Sequence, residues 1–276
     1  MKRVFQFIEQ YWGPLDPLGE NILEVYDWET LTEQAFQKKV SLLKSAELLK
    51  TCIRLVGQSG AGKTSQLLPA VKSALDTCGK TFVSFAVRDF VEFHPHLKEI
   101  REKFGEALLR EKTNTFALTL LTLVFKRCVE EHLPILFEMT LLSPLYEDFI
   151  HQLLLKENYG CDYQCLAISK FVSDERIQGR FLQTRRIVAK DSSDFFFNTL
   201  RPAMELIKTF PLTNRVFIWS KNARKPVITS LQEQDFIDLF FQMQNEAGED
   251  LSLEEGLMYK KEFLCKFYHK NGFIIS

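Results

Sequence analysis

The chain carries almost no excess charge of either sign. Its 35 Lys and Arg are offset by 36 Asp and Glu, a formal net charge of −1. That balance removes any general electrostatic pull toward nucleic acid or an anionic membrane surface. Long apolar runs are missing too, since the longest stretches, 116–125 and 133–137, are far too short to span a bilayer. The Met1-Lys2-Arg3 opening has the basic character of an export signal, but Glu9 and Gln10 interrupt the apolar run at once. The expectation is therefore no signal peptide, no membrane and a cytoplasmic protein. A disulfide framework is lacking as well. The six cysteines are scattered, and the Cys161/Cys165 pair has no second Cys/His pair nearby, so all read as buried reduced thiols. No internal repeat or low-complexity tract is present. What remains, 276 residues at 46% hydrophobic content, suffices to bury a full core as one large domain or a domain with an appendage.

Against that plain background one segment stands out. Gly57-Gln58-Ser59-Gly60-Ala61-Gly62-Lys63-Thr64 is a complete phosphate-binding loop pattern, G-x-x-x-x-G-K-[ST]. Small residues let backbone N–H groups curl round a polyphosphate, and the N-terminus of the next helix faces that charge. Lys63 would reach the β- and γ-phosphates, the Thr64 hydroxyl would sit on Mg²⁺, and Ser65 closes the cradle. Cys52 to Val56 is a short apolar, β-branched run suited to the strand feeding the loop. Ser65 to Thr77 reads as the helix that follows, with Gly79 at its C-terminus and a kink expected at Pro69. The protein is expected to bind a nucleoside triphosphate.

The remaining patterning predicts an α/β fold: a P-loop NTPase-type parallel sheet flanked by helices, with a helical N-terminal extension. Residues 1–50 form the extension and 51–276 the P-loop kinase domain. Thr30 to Lys50 has helical spacing, with Leu31, Ala35, Val40, Leu43, Ala46 and Leu49 on one face. The aromatic residues Tyr11, Trp12, Tyr26 and Trp28 before it read as satellite core. Further strands are expected at 81–87, 134–137, 164–168 and 215–219. Helices are expected at 96–112, 114–131 and 145–157. Strands alternating with helices, without tight hairpin signals, imply βαβ units.

The class of nucleotide protein follows by comparison of motifs. No N-K-x-D is present, and Asp76-Thr77-Cys78-Gly79 spells D-x-x-G only at a helix end, so the guanine-binding signature of a GTPase is missing. The third strand ends in a single Glu138 rather than the Asp-Glu of a motor-type ATPase. A small kinase remains, which needs a carboxylate to activate the acceptor hydroxyl and arginines to neutralise the transferring phosphoryl group. Asp89, near the end of the second strand, suits the first role. Arg180, Arg185 and Arg186 suit the second.

Several short strings then resemble the zeta-toxin family of kinases. Arg88-Asp89-Phe90-Val91-Glu92-Phe93-His94-Pro95 is similar to its D-x-F-x-x-x-H-P segment, and Glu138-Met139-Thr140 to its E-G-T. Ser173 with Arg180 reproduces a serine and an arginine seven residues apart, Arg186 falls close to the second catalytic arginine, and Asn214 to Asn222 resembles the late strand and turn. The match covers roughly residues 50–230. The resemblance implies an enzyme, an ATP- and Mg²⁺-dependent kinase phosphorylating a hydroxyl of a small acceptor, with UDP-N-acetylglucosamine or a related nucleotide sugar as the family's candidate, to block cell-wall synthesis. It also implies a small helical antitoxin as partner, and no nucleic acid. Asp89, Arg180, Arg186 and Lys63 would be catalytic. Glu138, Thr140, Arg88 and His94 would bind substrate, and Thr64 with Glu138 would hold the metal.

The departures gather on the acceptor side. The family's catalytic aspartate aligns with Arg88, and the aspartate here stands one position later, a shift that on a strand would turn it to the opposite face, whereas a strand ending near Val87 would let loop geometry aim Asp89 at the acceptor. Met139 replaces a glycine, Leu142 an arginine, and Thr122 aligns with a substrate-binding glutamate. Three further readings therefore stand beside the family's own activity: a kinase with a different acceptor, a silent nucleotide-binding module, and an enzyme restrained by its own N-terminal segment. Asp89 could equally cap the next element or pair with Arg88, His94 could be structural, and the Arg185–Arg186 pair could be solvated.

Overall fold

The computed structural model describes residues 5–6, 9, 17–19, 21–43, 49–138, 144–184, 190–220, 226–229, 236–244 and 252–271. Six strands form one sheet: β1 (Thr51–Val56), β2 (Val83–Ala86), β3 (Ile135–Glu138), β4 (Gly160–Ala167), β5 (Thr213–Ser220) and β6 (Val227–Thr229), in the spatial order β2-β3-β1-β4-β5-β6. The first five are parallel, as the alternating pattern required, and β6 adds an antiparallel edge that the sequence reading did not anticipate. Among the described residues, the α-helices longer than one turn are α1 (Trp28–Val40), α2 (Leu68–Thr77), α3 (Leu97–Glu130), α4 (Pro144–Lys156), α5 (Lys170–Thr184), α6 (Lys190–Thr209), α7 (Phe236–Gln244) and α8 (Leu253–Asn271). Among the described residues no helix is long and apolar enough to cross a membrane.

The sheet separates two apolar layers, and β1 shows how. Cys52 and Val56 join the layer that includes α1, α3, α4 and α6, whereas Ile53 and Leu55 join the layer of α2 and α8. This is the period-two alternation of a strand covered on both faces. Arg54 points into the first layer, where its guanidinium meets the Glu147 carboxylate of α4 at 2.9 and 3.0 Å. Both side chains are fully buried. Burial works against the Arg54 charge, but Glu147 beside it outweighs burial and holds its pKa above the ordinary value.

Several element boundaries differ from expectation, each for a local reason. β4 starts at Gly160 rather than at Gln164, because the charge of Asp162 is met inside the sheet by Arg215 of β5, at 3.0 and 2.6 Å. The two expected helices are present, but the break between them lies earlier, so that α3 is two helical stretches joined across a kink at Gly105. Thr113, where the break was placed, donates its hydroxyl to Leu109 O at 2.8 Å and stays helical. The non-helical residue is Gly105, at φ +76°. α1 spans 28–40 rather than 30–50, starting where Asp27 accepts from the Thr30 N–H at 3.1 Å. Ala46 lies outside the described residues. The kink expected at Pro69 takes the form of a wide turn just before it. Over Lys63–Leu67 the bonds run five residues back, and Pro69 sits in the first turn of α2, where its missing N–H is harmless. Gly79, at φ +65°, closes α2 as expected.

α1 packs on the β2 side of the sheet. Ala35 and Phe36 are buried in the first layer, Arg127 of α3 lies 4.1 Å over the Phe36 ring, and Lys39 donates to Ser84 O at 2.7 Å. Of the N-terminal aromatics, Tyr26 and Trp28 do pack as satellite core, against Phe116 at 5.1 and 5.2 Å. Tyr11 and Trp12 lie outside the described residues.

Candidate active site

The loop between β1 and the wide turn is built on glycines that other residues could not replace. Gly60 has φ +76°, and a Cβ there would stand 2.6 Å from Ser173 O. Gly57 has φ +149°, and a Cβ would stand 2.9 Å from Leu166 O. The variable positions fasten the loop from outside. Gln58, buried, donates to Ile168 O and Ser169 O at 3.0 and 3.2 Å and accepts from Gln244 of α7 at 3.0 Å. Ser173 donates its hydroxyl to Ser59 O, and Arg176 donates to Ala61 O at 3.2 Å. Gly62, at φ +100°, turns the chain into the helix. The backbone cradle is therefore held in shape by α5, α7 and the end of β4, independently of any bound anion.

Lys63 is folded into this cradle, its ammonium donating to Gly57 O and, at 2.8 Å, to Gln58 O. Next to it Thr64 donates its hydroxyl to Glu138, which is buried at the end of β3. The register of the central strands puts Glu138 beside both Leu55 of β1 and Ala86 of β2. Arg88 completes the group. Its guanidinium lies 3.0 Å from Glu138 Oε2 and 3.1 Å from Thr64 Oγ1. Thus a hydroxyl, a carboxylate and a guanidinium converge at the mouth of the phosphate loop. Among the described residues no three His, Cys, Asp or Glu are grouped to hold a metal ion. Thr64 with Glu138 is a donor pair that fits Mg²⁺ shared with phosphate oxygens, the usual arrangement for this ion.

Asp89 points elsewhere. β2 ends at Ala86, and Val87–Phe93 winds as a 3₁₀ helix whose first turn Asp89 caps, accepting the Ala86 N–H at 3.2 Å. The same carboxylate oxygen takes Lys39 of α1 at 2.7 Å, and the Arg88 Nε stands 3.7 Å from the other. Asp89 lies on a cleft of about 450 Å³ between α1, the outer edge of β2 and α2, lined also by Lys38, Lys39 and Lys72. The structural reading of Asp89 as a cap is therefore fulfilled in geometry, with Lys39 as the principal ion partner.

His94 stands apart from the group at the loop. It is buried, 3.4 Å from the Tyr26 hydroxyl, its ring 4.4 Å from that of Phe116, and its Nδ1 accepts the His96 N–H. That placement matches the structural alternative for His94, whose ring packs α3 against the N-terminal segment, and lends nothing to the substrate-binding one. Thr122 is likewise buried, 2.9 Å from the Tyr146 hydroxyl. Arg180 falls in α5, roughly two turns after Ser173. Thr140, Met139, Leu142, Arg185 and Arg186 lie outside the described residues. Residues the sequence reading missed include Arg176, which shares a helix face with Ser173 at the i, i+3 spacing that could have revealed it. Gln244 and Lys39 carried no sequence signal.

The comparisons with known proteins agree with this architecture. A family model described as zeta toxin matches residues 30–232, well over half the chain. No curated protein matches. Among solved structures, the chain is similar to one from work on the PezAT chromosomal toxin–antitoxin system of Streptococcus pneumoniae. That likeness has 20% identity and a TM-score of 0.66, covering 90% of this chain and 99% of that one. It also resembles the native AvrRxo1-ORF1:-ORF2 complex, at 12% identity and TM-score 0.55 over 90% and 88% of the two chains. The same complex with ATP gives 14% identity and TM-score 0.54 over 87% and 84%.

Proposed function

Because the chain belongs to the zeta toxin family, an ATP-dependent phosphotransferase in coarse terms, we propose that it moves the γ-phosphoryl group of ATP to a hydroxyl of a small acceptor. The observation that carries this reading is the convergence of Lys63, Thr64, Glu138 and Arg88 at one end of a glycine cradle already in shape. Backbone N–H groups of 57–65 and the Lys63 ammonium would hold the triphosphate, Lys63 exchanging loop carbonyls for phosphate oxygens. Thr64 and Glu138 would hold Mg²⁺, which, when bound, neutralises charge on the transferring group. Arg180 and Arg186 would do the same.

Asp89 is the proposed general base. It must first turn from its cleft, giving up both the Lys39 ion pair and the Ala86 N–H, which costs about 2–3 kcal/mol, or roughly 10²-fold in rate at most. That is no more than the lower end of the roughly 10²–10⁴ that a positioned base contributes. The acceptor implied by the family is UDP-N-acetylglucosamine or a related nucleotide sugar. An antitoxin partner is supported by the likeness to a structure from a toxin–antitoxin system.

A second reading has its own observation. Arg88, not a carboxylate, stands at the family's base position and is bonded to Thr64 and Glu138. On that reading the protein binds nucleotide without turnover. Both readings share nucleotide binding, which one substitution tests. Lys63→Ala should weaken ATP binding by about 3 kcal/mol, a factor of order 10², in titration calorimetry. Affinity equal to wild type would remove the loop from the account.

A further inference from the structure

The C-terminal helix buries an amine one turn beyond its contact with the wide turn that follows the phosphate loop. Gly256 of α8 packs so closely on Gln66 of the wide turn that a Cβ there would stand 2.7 Å from the Gln66 amide. One turn on, Lys260 is fully buried, its ammonium 3.5 Å from Gly256 O and 5.3 Å from the centre of the Trp219 ring. Its neighbours one turn away on α8 are Gly256, Leu257, Phe263 and Leu264, all uncharged. The elements facing it contribute Gln66, Trp219 of β5 and Arg176 of α5, and only Arg176 is charged. Arg176 itself bonds Ala61 O and lies 3.7 Å from where a Gly62 side chain would begin. Among the described residues neither cation meets a carboxylate.

Two cations with no acid between them, one fully desolvated, are a costly arrangement unless an anion completes it. We propose that this anion is the polyphosphate of the bound nucleotide, with Arg176 as a direct phosphate ligand and Lys260 as a positioning residue behind it. The inference rests on nucleotide binding at the loop, not on turnover. Arg176 is partly buried at the loop rim and can turn from Ala61 O to a phosphate oxygen. Lys260, held against Trp219, then faces a neutralised Arg176 and a net negative charge beyond it.

The protonation of Lys260 follows from the same geometry. Burial, and then the Arg176 charge, push its pKa down to about 8. A bound polyphosphate opposes the second cause and raises the value, so ATP binding takes up a proton at and above pH 8. A rise of about one pH unit corresponds to about tenfold tighter binding to the protonated form.

Titration calorimetry of the full chain with ATP, in buffers of different ionisation enthalpy at pH 7 and pH 9, reads this directly. Wild type should take up about 0.4 of a proton at pH 9 and bind roughly fivefold more weakly there than at pH 7. Lys260→Met, an apolar replacement that the buried site should accept, should bind about tenfold more weakly at pH 7 and lose the proton uptake. Lys260→Arg should restore affinity without uptake, which a merely structural role would not do. Arg176→Gln should weaken binding at both pH values. Wild-type affinity and unchanged uptake in Lys260→Met would overturn the inference while leaving the nucleotide site intact. Absence of ATP binding by wild type at either pH would overturn both.

Discussion

Asp89→Asn should lower phosphoryl transfer by roughly 10²–10⁴ while leaving ATP affinity within about twofold of wild type. The asparagine keeps the side chain's size, and its carbonyl oxygen can still accept the Ala86 N–H and the Lys39 ammonium that hold the carboxylate. The cap on the 3₁₀ turn therefore survives, and what is lost is the ability to take a proton. A loss of stability matching the loss of rate would place Asp89 in the fold rather than in the chemistry. Full transfer by the variant would show that another group takes the proton, and would make the one-residue shift beside Arg88 a true break with the family.

Glu147→Ala should destabilise the protein by about 3–5 kcal/mol, seen as a lower urea midpoint. Arg54 is 1% exposed and Glu147 is fully buried, so removing the carboxylate strands a guanidinium between Phe137 and Tyr163. Its charge has no route to water. The paired replacement Arg54→Met with Glu147→Leu should recover most of that loss, because it removes the charges together and keeps the volume. A double variant no more stable than Glu147→Ala would show that the pair contributes more than mutual neutralisation.

The parts of this fold that could be read in the chain are those where one local pattern has one physical solution. The phosphate loop is such a case: glycines at positive φ, a lysine and a hydroxyl at fixed spacing, and an apolar strand in front. Glu138 was also legible, because a carboxylate closing an apolar run on a central parallel strand ends beside the loop. Directions of side chains past a strand end were not. A strand would have set Asp89 opposite Arg88 and a loop could have aimed it at the acceptor, whereas Val87–Phe93 winds with about three residues per turn, which separates neighbours by about 120°. Arg88 thus reaches the loop and Asp89 reaches Lys39. Partners remote in sequence were equally invisible. Nothing near Arg54 announces Glu147, 93 residues on, nor does anything near Gly62 announce Lys260. The Lys112–Asn114 break failed because threonine hydroxyls bonded back to the preceding turn let a polar stretch stay helical inside the core.

The central claim is phosphoryl transfer at a site where Lys63, Thr64, Glu138 and Arg88 converge. Purified wild-type protein incubated with γ-labelled ATP, Mg²⁺ and a panel of UDP-sugars, nucleosides and small metabolites tests it most directly. The account predicts label on a hydroxyl of one acceptor, with UDP-N-acetylglucosamine the first to examine, and no transfer without Mg²⁺. Tight ATP binding with no labelled acceptor anywhere in the panel would contradict it and leave a nucleotide-binding module in its place.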